Sequence, residues 1–172
     1  MHILLETERL YLRHFEETDL ACIRDLDTDP AVMQYIGAVK TEEESRFFLN
    51  KALAYHAKNE GFGYWMIEEK HTQNFVGWAG LKDLDGSEHI EVGYRLSQKQ
   101  WGKGYATEVG KALLKYGFEK QKLEEIVAVT LQENIASRKV LEKIGLQYQR
   151  LAHYYGFDVL FFVITKGQFE QG

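Results

Sequence analysis

The chain has 172 residues, 45% hydrophobic, 27% charged and 13% aromatic, which suits one globular domain over residues 1–172 and neither a disordered nor a membrane-embedded chain. A formal charge of −5 argues against a general nucleic-acid binder, which carries a basic face. Cys22 is the only cysteine, so neither an internal disulfide nor a multi-cysteine zinc site can form.

The opening MHILLETERLYLRH is too charged for a signal peptide. No apolar run approaches the roughly 18 residues of a membrane span. A cytoplasmic protein with no membrane partner is expected. Leu10, Leu12 and His14 alternate with Tyr11 and Arg13, predicting a first strand over Arg9–His14. Thr18 is expected to cap a short helix to about Leu26, which Pro30 keeps from extending. Thr41 and Glu44 make a capping-box pattern ahead of a helix to about Lys58, with Phe48, Ala52 and Tyr55 at helical spacing.

Three strands follow: GYWMIEE from Gly63, NFVGWAGL from Asn74 and EHIEVGYRL from Glu88. Their short links HTQ and DLDGS suit antiparallel hairpins. QKQWGKGYATEVG then brings small residues to the start of a helix over Tyr105–Glu119, with Ala106, Val109, Gly110, Leu113, Leu114 and Gly117 on its buried stripe. A helix start without bulk leaves N–H groups uncovered at an electropositive end, which suits a phosphate; a tight turn that needs glycine is the plainer alternative. EIVAVTL is a β-branched strand, and a helix from Ile135 to Ile144 ends at Gly145. LQYQRLA and FDVLFFVIT are the last strands. The expected fold is α+β, a mostly antiparallel mixed sheet of about seven strands with about four helices. The six histidines show no HExxH or similar spacing, so no metal is indicated.

The order of parts from Glu88 to Gly145 resembles the GNAT superfamily of N-acetyltransferases, and within it the ribosomal-protein alanine N-acetyltransferase branch. The resemblance is carried by Glu91-Val92-Gly93-Tyr94, by Trp101-Gly102-Lys103-Gly104-Tyr105-Ala106-Thr107-Glu108, and by Asn134-Ile135-Ala136-Ser137 with Leu141 to Gly145. The opening Thr7-Glu8-Arg9-Leu10 is similar to that branch's entry to its first strand. The resemblance implies acetyl-coenzyme A as cosubstrate. Backbone N–H groups from Gly102 to Thr107 would hold its pyrophosphate, with Trp101 where the family has Gln or Arg. The pantetheine arm would pair with Tyr94-Arg95-Leu96 like an added strand. Lys99, Lys103, Arg138, Lys139 and Lys143 are either added positive charge or solvated surface. Asn134 is either a helix cap or a ligand contact.

The resemblance also implies direct attack of an amine on the thioester, helped by proximity worth roughly 7–11 kcal/mol. Glu91 is the implied general base, or else a structural carboxylate, and a backbone N–H near Leu96 is the implied oxyanion donor. A carboxylate near pKa ~4.3 is a poor match for an ammonium near ~10.4, so the role calls for burial or a relaying water. His89, two residues away, is expected on the same strand face, where it either assists Glu91 or takes a surface or packing role. The family's usual acid, a tyrosine, is replaced by Leu141. Ser137, Tyr154 or Tyr155 would substitute, or the thiolate leaves unaided. Trp65, Trp78 and Tyr154 line an acceptor pocket or simply pack. The acceptor is a primary amine, a protein N-terminus or a small molecule such as a polyamine, amino acid or aminoglycoside; a homodimer is compatible. A non-catalytic sensor of coenzyme A is the rival from another class. A phosphotransferase lacks support because GxxxxGK[ST] is missing.

Overall fold

A computed structural model describes residues 3–172; Met1 and His2, at the head of the opening segment, lie outside them. The chain divides into two compact units. One holds the residues up to Gly80 together with Tyr94–Tyr105, and the other holds Leu81–Gly93 and Ala106–Gly172.

In the first unit, β1 (Ile3–Glu6) pairs antiparallel with β2 (Leu10–His14), which pairs antiparallel with β3 (Gly63–Glu69) in the register Leu12–Ile67 and His14–Trp65. The first part of β4 (Phe75–Asp83) and the end of β5 (Ile90–Leu96) follow in the order β1-β2-β3-β4-β5. The helices are α1 (Leu20–Asp27), α2 (Pro30–Met33) and α3 (Glu42–Lys58). Phe15, Ile23, Leu26, Leu49, Ala52, Tyr64, Met66 and Trp78 form its buried core.

The capping box predicted at Thr41 is present: the Glu44 N–H donates to Thr41 Oγ1 at 3.2 Å, and the Thr41 N–H donates to Glu44 at 2.8 Å. Thr18, by contrast, caps nothing. It sits inside a 3-10 turn over Glu17–Asp19, because Arg13 draws the Asp19 carboxylate inward in a two-pronged pair at 2.8 Å and the Glu16 N–H donates to the same carboxylate. Helix α1 therefore starts two residues beyond Thr18. Pro30 begins α2 as its first residue, behind an Asp29 cap, the position where a missing N–H costs nothing.

The second unit holds the rest of β4 and the start of β5, then α4 (Tyr105–Glu119, entered at Ala106), β6 (Glu125–Thr130), α5 (Ile135–Lys143), β7 (Gln147–Tyr154), β8 (Phe157–Thr165) and α6 (Lys166–Gln171). Its strand order is β4-β5-β6-β8-β7. β5 and β6 are parallel, with Glu91 opposite Val127, and β8 is antiparallel to both β6 and β7. Among the described residues the sheet is mixed, with eight strands and six α-helices rather than about seven and four. β1 has only four residues, half-buried at most, and is held by its pairing to β2. α6 forms on a Thr165 cap directly after β8. Neither has a periodic pattern long enough to read from sequence.

Candidate active site

Glu91 occupies β5 with 6% of its surface exposed, so its charge needs partners. Two side chains supply them. Lys82, on β4, forms an ion pair with Glu91 Oε1, and the hydroxyl of Tyr155 donates to the same oxygen. The Tyr155 oxygen in turn accepts from Lys82 Nζ at 2.6 Å and from the Asp85 N–H at 3.2 Å. One donor and two acceptor sites of the phenol are thereby all used.

Tyr155 and Gly156 are the two central residues of the β7–β8 hairpin, at φ +56° and +79°. That is the positive-φ pair of a type I′ turn. A tyrosine there is unusual, and its backbone N–H is anchored to Asp85 Oδ2 at 2.7 Å. Two turns far apart in sequence thus meet at Tyr155, which carries its hydroxyl to Glu91.

The other candidates divide clearly. His89 lies just before β5. Its Nδ1 lies 3.0 Å from Glu125 Oε1 and its ring packs edge-on to Phe161. Tyr154 stacks on Phe161 with centroids 6.0 Å apart, a packing role. Ser137 is half-buried in the first turn of α5, its N–H donating to Asn134 Oδ1 at 3.1 Å; among the described residues no hydrogen bond joins it to Glu91. Asn134 is thus a helix cap. Leu141 is buried in the core, and Trp65 and Trp78 are buried aromatics at 0% and 9% exposure. Lys139 and Lys143 are exposed, while Arg138 donates to the Gln132 carbonyl at 3.4 Å.

The glycine-rich stretch is a 3-10 turn over Gln98–Gln100 followed by four exposed residues, Trp101 to Gly104. Gly102 and Gly104 have φ of +75° and +82°, where side chains are disfavoured. A Cβ at Gly102 would meet nothing within 4 Å, while one at Gly104 would lie 3.6 Å from Arg9 Nη2. Tyr105 is buried, and Ala106 and Thr107 are half-buried in the first turn of α4. The first N–H groups of a helix have no intrahelical acceptor. Trp101, the departure from the family pattern, donates its indole N–H to the Leu96 carbonyl at 3.0 Å and ties the loop to the end of β5. The Lys103 ammonium donates to Gln100 Oε1 at 2.7 Å.

At that strand end, Tyr94 and Arg95 are half-buried and Leu96 is buried. The Arg95 guanidinium pairs with Asp27 at 2.5 Å and lies over Trp78, while Ser45 donates to the other Asp27 oxygen at 2.8 Å. Burial pulls the Arg95 pKa down, against the pull of Asp27. The Ser97 N–H donates to the Val76 carbonyl at 2.9 Å. Gly77 is obligatory beside it, since a Cβ there would lie 2.2 Å from the Arg95 carbonyl oxygen.

The sheet is mixed, with a parallel strand–helix–strand crossover opened by a glycine turn and a buried carboxylate on its first strand. The chain belongs to the GNAT family of N-acetyltransferases, the family model described as "Acetyltransferase (GNAT) domain" matching residues 9–147. An uncharacterized N-acetyltransferase of Bacillus subtilis (strain 168), YnaD, is 34% identical over 148 residues, 86% of this chain and 83% of its own. An FsC-acetyl coenzyme A-N(2)-transacetylase of Aspergillus fumigatus is 32% identical over 154 residues, 84% of this chain and 65% of its own. The crystal structure of a GNAT-family acetyltransferase from Bacillus anthracis matches with TM-score 0.80 and 31% identity, covering 97% of this chain and 99% of that one.

Proposed function

We propose that this N-acetyltransferase, acting as one domain in the cytoplasm, moves an acetyl group from acetyl-coenzyme A to a primary amine by direct attack, with Glu91 as the general base. The observation that carries this reading is the burial of Glu91 against Lys82 and Tyr155. A carboxylate held in one orientation, with its charge balanced, is organised to take a proton from an incoming ammonium or from a relaying water. The pyrophosphate would rest on the N–H groups of Gly102 to Thr107, supported by the positive φ of Gly102 and Gly104. The pantetheine would run along Tyr94-Arg95-Leu96, with the N–H near Leu96 as oxyanion donor. Tyr155 gives its proton to the departing thiolate in place of the missing tyrosine at Leu141, and Glu91, holding the amine's proton, restores it across the bond that joins them, which favours Tyr155 over Ser137.

The acceptor is a primary amine, either a protein N-terminus or a small molecule. The Aspergillus fumigatus relative, whose name specifies acetyl coenzyme A and an N(2) acceptor, supports the amine class. Calorimetry with acetyl-coenzyme A tests the cofactor half: wild type binds, and a folded Gly104→Asp variant, with a carboxylate set against the phosphates, does not. Thiol release over peptides with free N-termini, polyamines and aminoglycosides tests the transfer half. Binding without transfer to any amine would make the protein a coenzyme A sensor instead.

A further inference from the structure

The Thr7-Glu8-Arg9-Leu10 opening has no part in the chemistry above, yet Arg9 reaches the glycine loop. Its Nη1 donates to the Lys103 carbonyl oxygen at 2.9 Å, 94 residues further along the chain. Its guanidinium lies over the Tyr105 ring, with Cζ 4.5 Å from the centroid. Tyr105 is itself held, 4% exposed, with its hydroxyl donating to Glu69 Oε1. The Thr72 hydroxyl donates to the other Glu69 oxygen at 2.5 Å. Thr72 first and Tyr105 second keep the Glu69 carboxyl below the ordinary carboxylate range. The backbone of Arg9 is secured by the Lys70 N–H, which donates to its carbonyl at 2.9 Å. Arg9 therefore projects from a secured strand entry, with Nη1 on the Lys103 carbonyl and Nη2 3.6 Å from where a Cβ at Gly104 would lie.

The consequence follows from peptide geometry. A trans peptide is planar, and its C=O and N–H point in opposite directions. The Lys103 carbonyl shares its peptide plane with the Gly104 N–H. Drawing the carbonyl toward Arg9 turns the Gly104 N–H away from Arg9. With glycine on one side of that plane and Gly102 two residues earlier, the loop has little of its own to stop the plane rotating.

We propose that Arg9 is a positioning residue for the coenzyme A cradle, setting the Lys103–Gly104 peptide so that the Gly104 N–H is presented to the pyrophosphate before ligand arrives. The inference rests on the assignment of Gly102 to Thr107 as that cradle. Pre-organisation of this kind raises affinity by removing an ordering cost from binding.

The test is calorimetric titration of wild type, Arg9→Ala and Arg9→Lys with acetyl-coenzyme A and with its 3′-dephospho analogue. Removing the brace should weaken both ligands about tenfold in Arg9→Ala, and Arg9→Lys, which keeps the charge but not the fork, should fall between. In amide NMR spectra the Gly104 resonance should move on ligand addition in wild type and much less in Arg9→Ala, a response that a purely structural role would leave intact. Affinity of a folded Arg9→Ala within twofold of wild type overturns the proposal. So does a loss confined to acetyl-coenzyme A, which would make Arg9 a direct contact of the 3′-phosphate. Should Arg9→Ala fail to fold, the Arg9→Lys titration decides, and unchanged affinity there is equally fatal. Wild type that binds neither ligand refutes the cradle itself, an outcome distinct from equal binding by wild type and variants.

Discussion

The hydroxyl of Tyr155 donates to Oε1 of Glu91, 64 residues earlier in the chain. The bond joins a strained hairpin turn to a buried strand carboxylate, and it makes a side chain that is 43% exposed the outward member of the polar cluster. Glu91→Gln keeps shape and loses basicity, so kcat should fall about 100-fold or more with little change in the KM for acetyl-coenzyme A. Tyr155→Phe removes one oxygen and should lower kcat about tenfold. Steady-state thiol release with the best amine of the panel measures both. Full activity in Glu91→Gln would remove the base assignment.

Lys82 balances the Glu91 charge at a site where both side chains are about nine-tenths buried. Truncating one partner of such a pair leaves an unpaired buried charge, so Lys82→Met should cost about 3 kcal/mol of stability. Urea unfolding will show this as a lower midpoint at unchanged slope. The double variant Lys82→Met with Glu91→Gln should recover part of the loss, because the orphaned charge goes with it.

Gly77, at φ +156°, lies against the Arg95 carbonyl. Gly77→Ala should destabilise by roughly 3 kcal/mol, since a Cβ there overlaps rigid backbone on both counts. It should also displace the Arg95–Leu96 backbone and weaken acetyl-coenzyme A binding in whatever folded fraction remains. Thermal melts and calorimetry on one preparation will separate the two effects.

Burial, and after it the nearby Asp19 and Asp25, push the Cys22 thiol above its ordinary range. Only the thiolate reacts, so iodoacetamide should label native Cys22 at pH 8 more slowly than unfolded protein, with the rate climbing as pH rises. The sign for stability is the same as for any group raised by folding. The native state keeps its proton longer, so the contribution is complete below the unfolded thiol's pKa and is lost as pH rises through the native one. Cys22→Ala should transfer acetyl normally, because direct attack needs no enzyme nucleophile.

Much of the fold was legible because its signals are local. Alternation marked β2, and the runs around Gly63 and Glu125 marked β3 and β6. The Thr41 capping box and the glycine turn before Tyr105 set helix starts that the structure keeps. The candidate site was legible in part. Glu91 and the loop came from motif order, and Asn134 appeared as the cap its residue type suggests. Thr18 misled because an Asp19 carboxylate, drawn in by Arg13, shifted the helix start. His89 has the packing contacts that were one of its two readings, with Glu125 and Phe161.

The sequence by itself determined what covalent neighbours decide: helix caps, strand periodicity, the freedom of glycine backbone, and the family that their order announces. Only the tertiary structure decided which distant side chains meet. Tyr155 reaches Glu91, Arg9 reaches Lys103, and Asp27 reaches Arg95, each across more than 60 residues. Periodicity carries no information about such pairs. They form because buried charges and backbone carbonyls must find partners, and only the folded chain shows which partners are within reach.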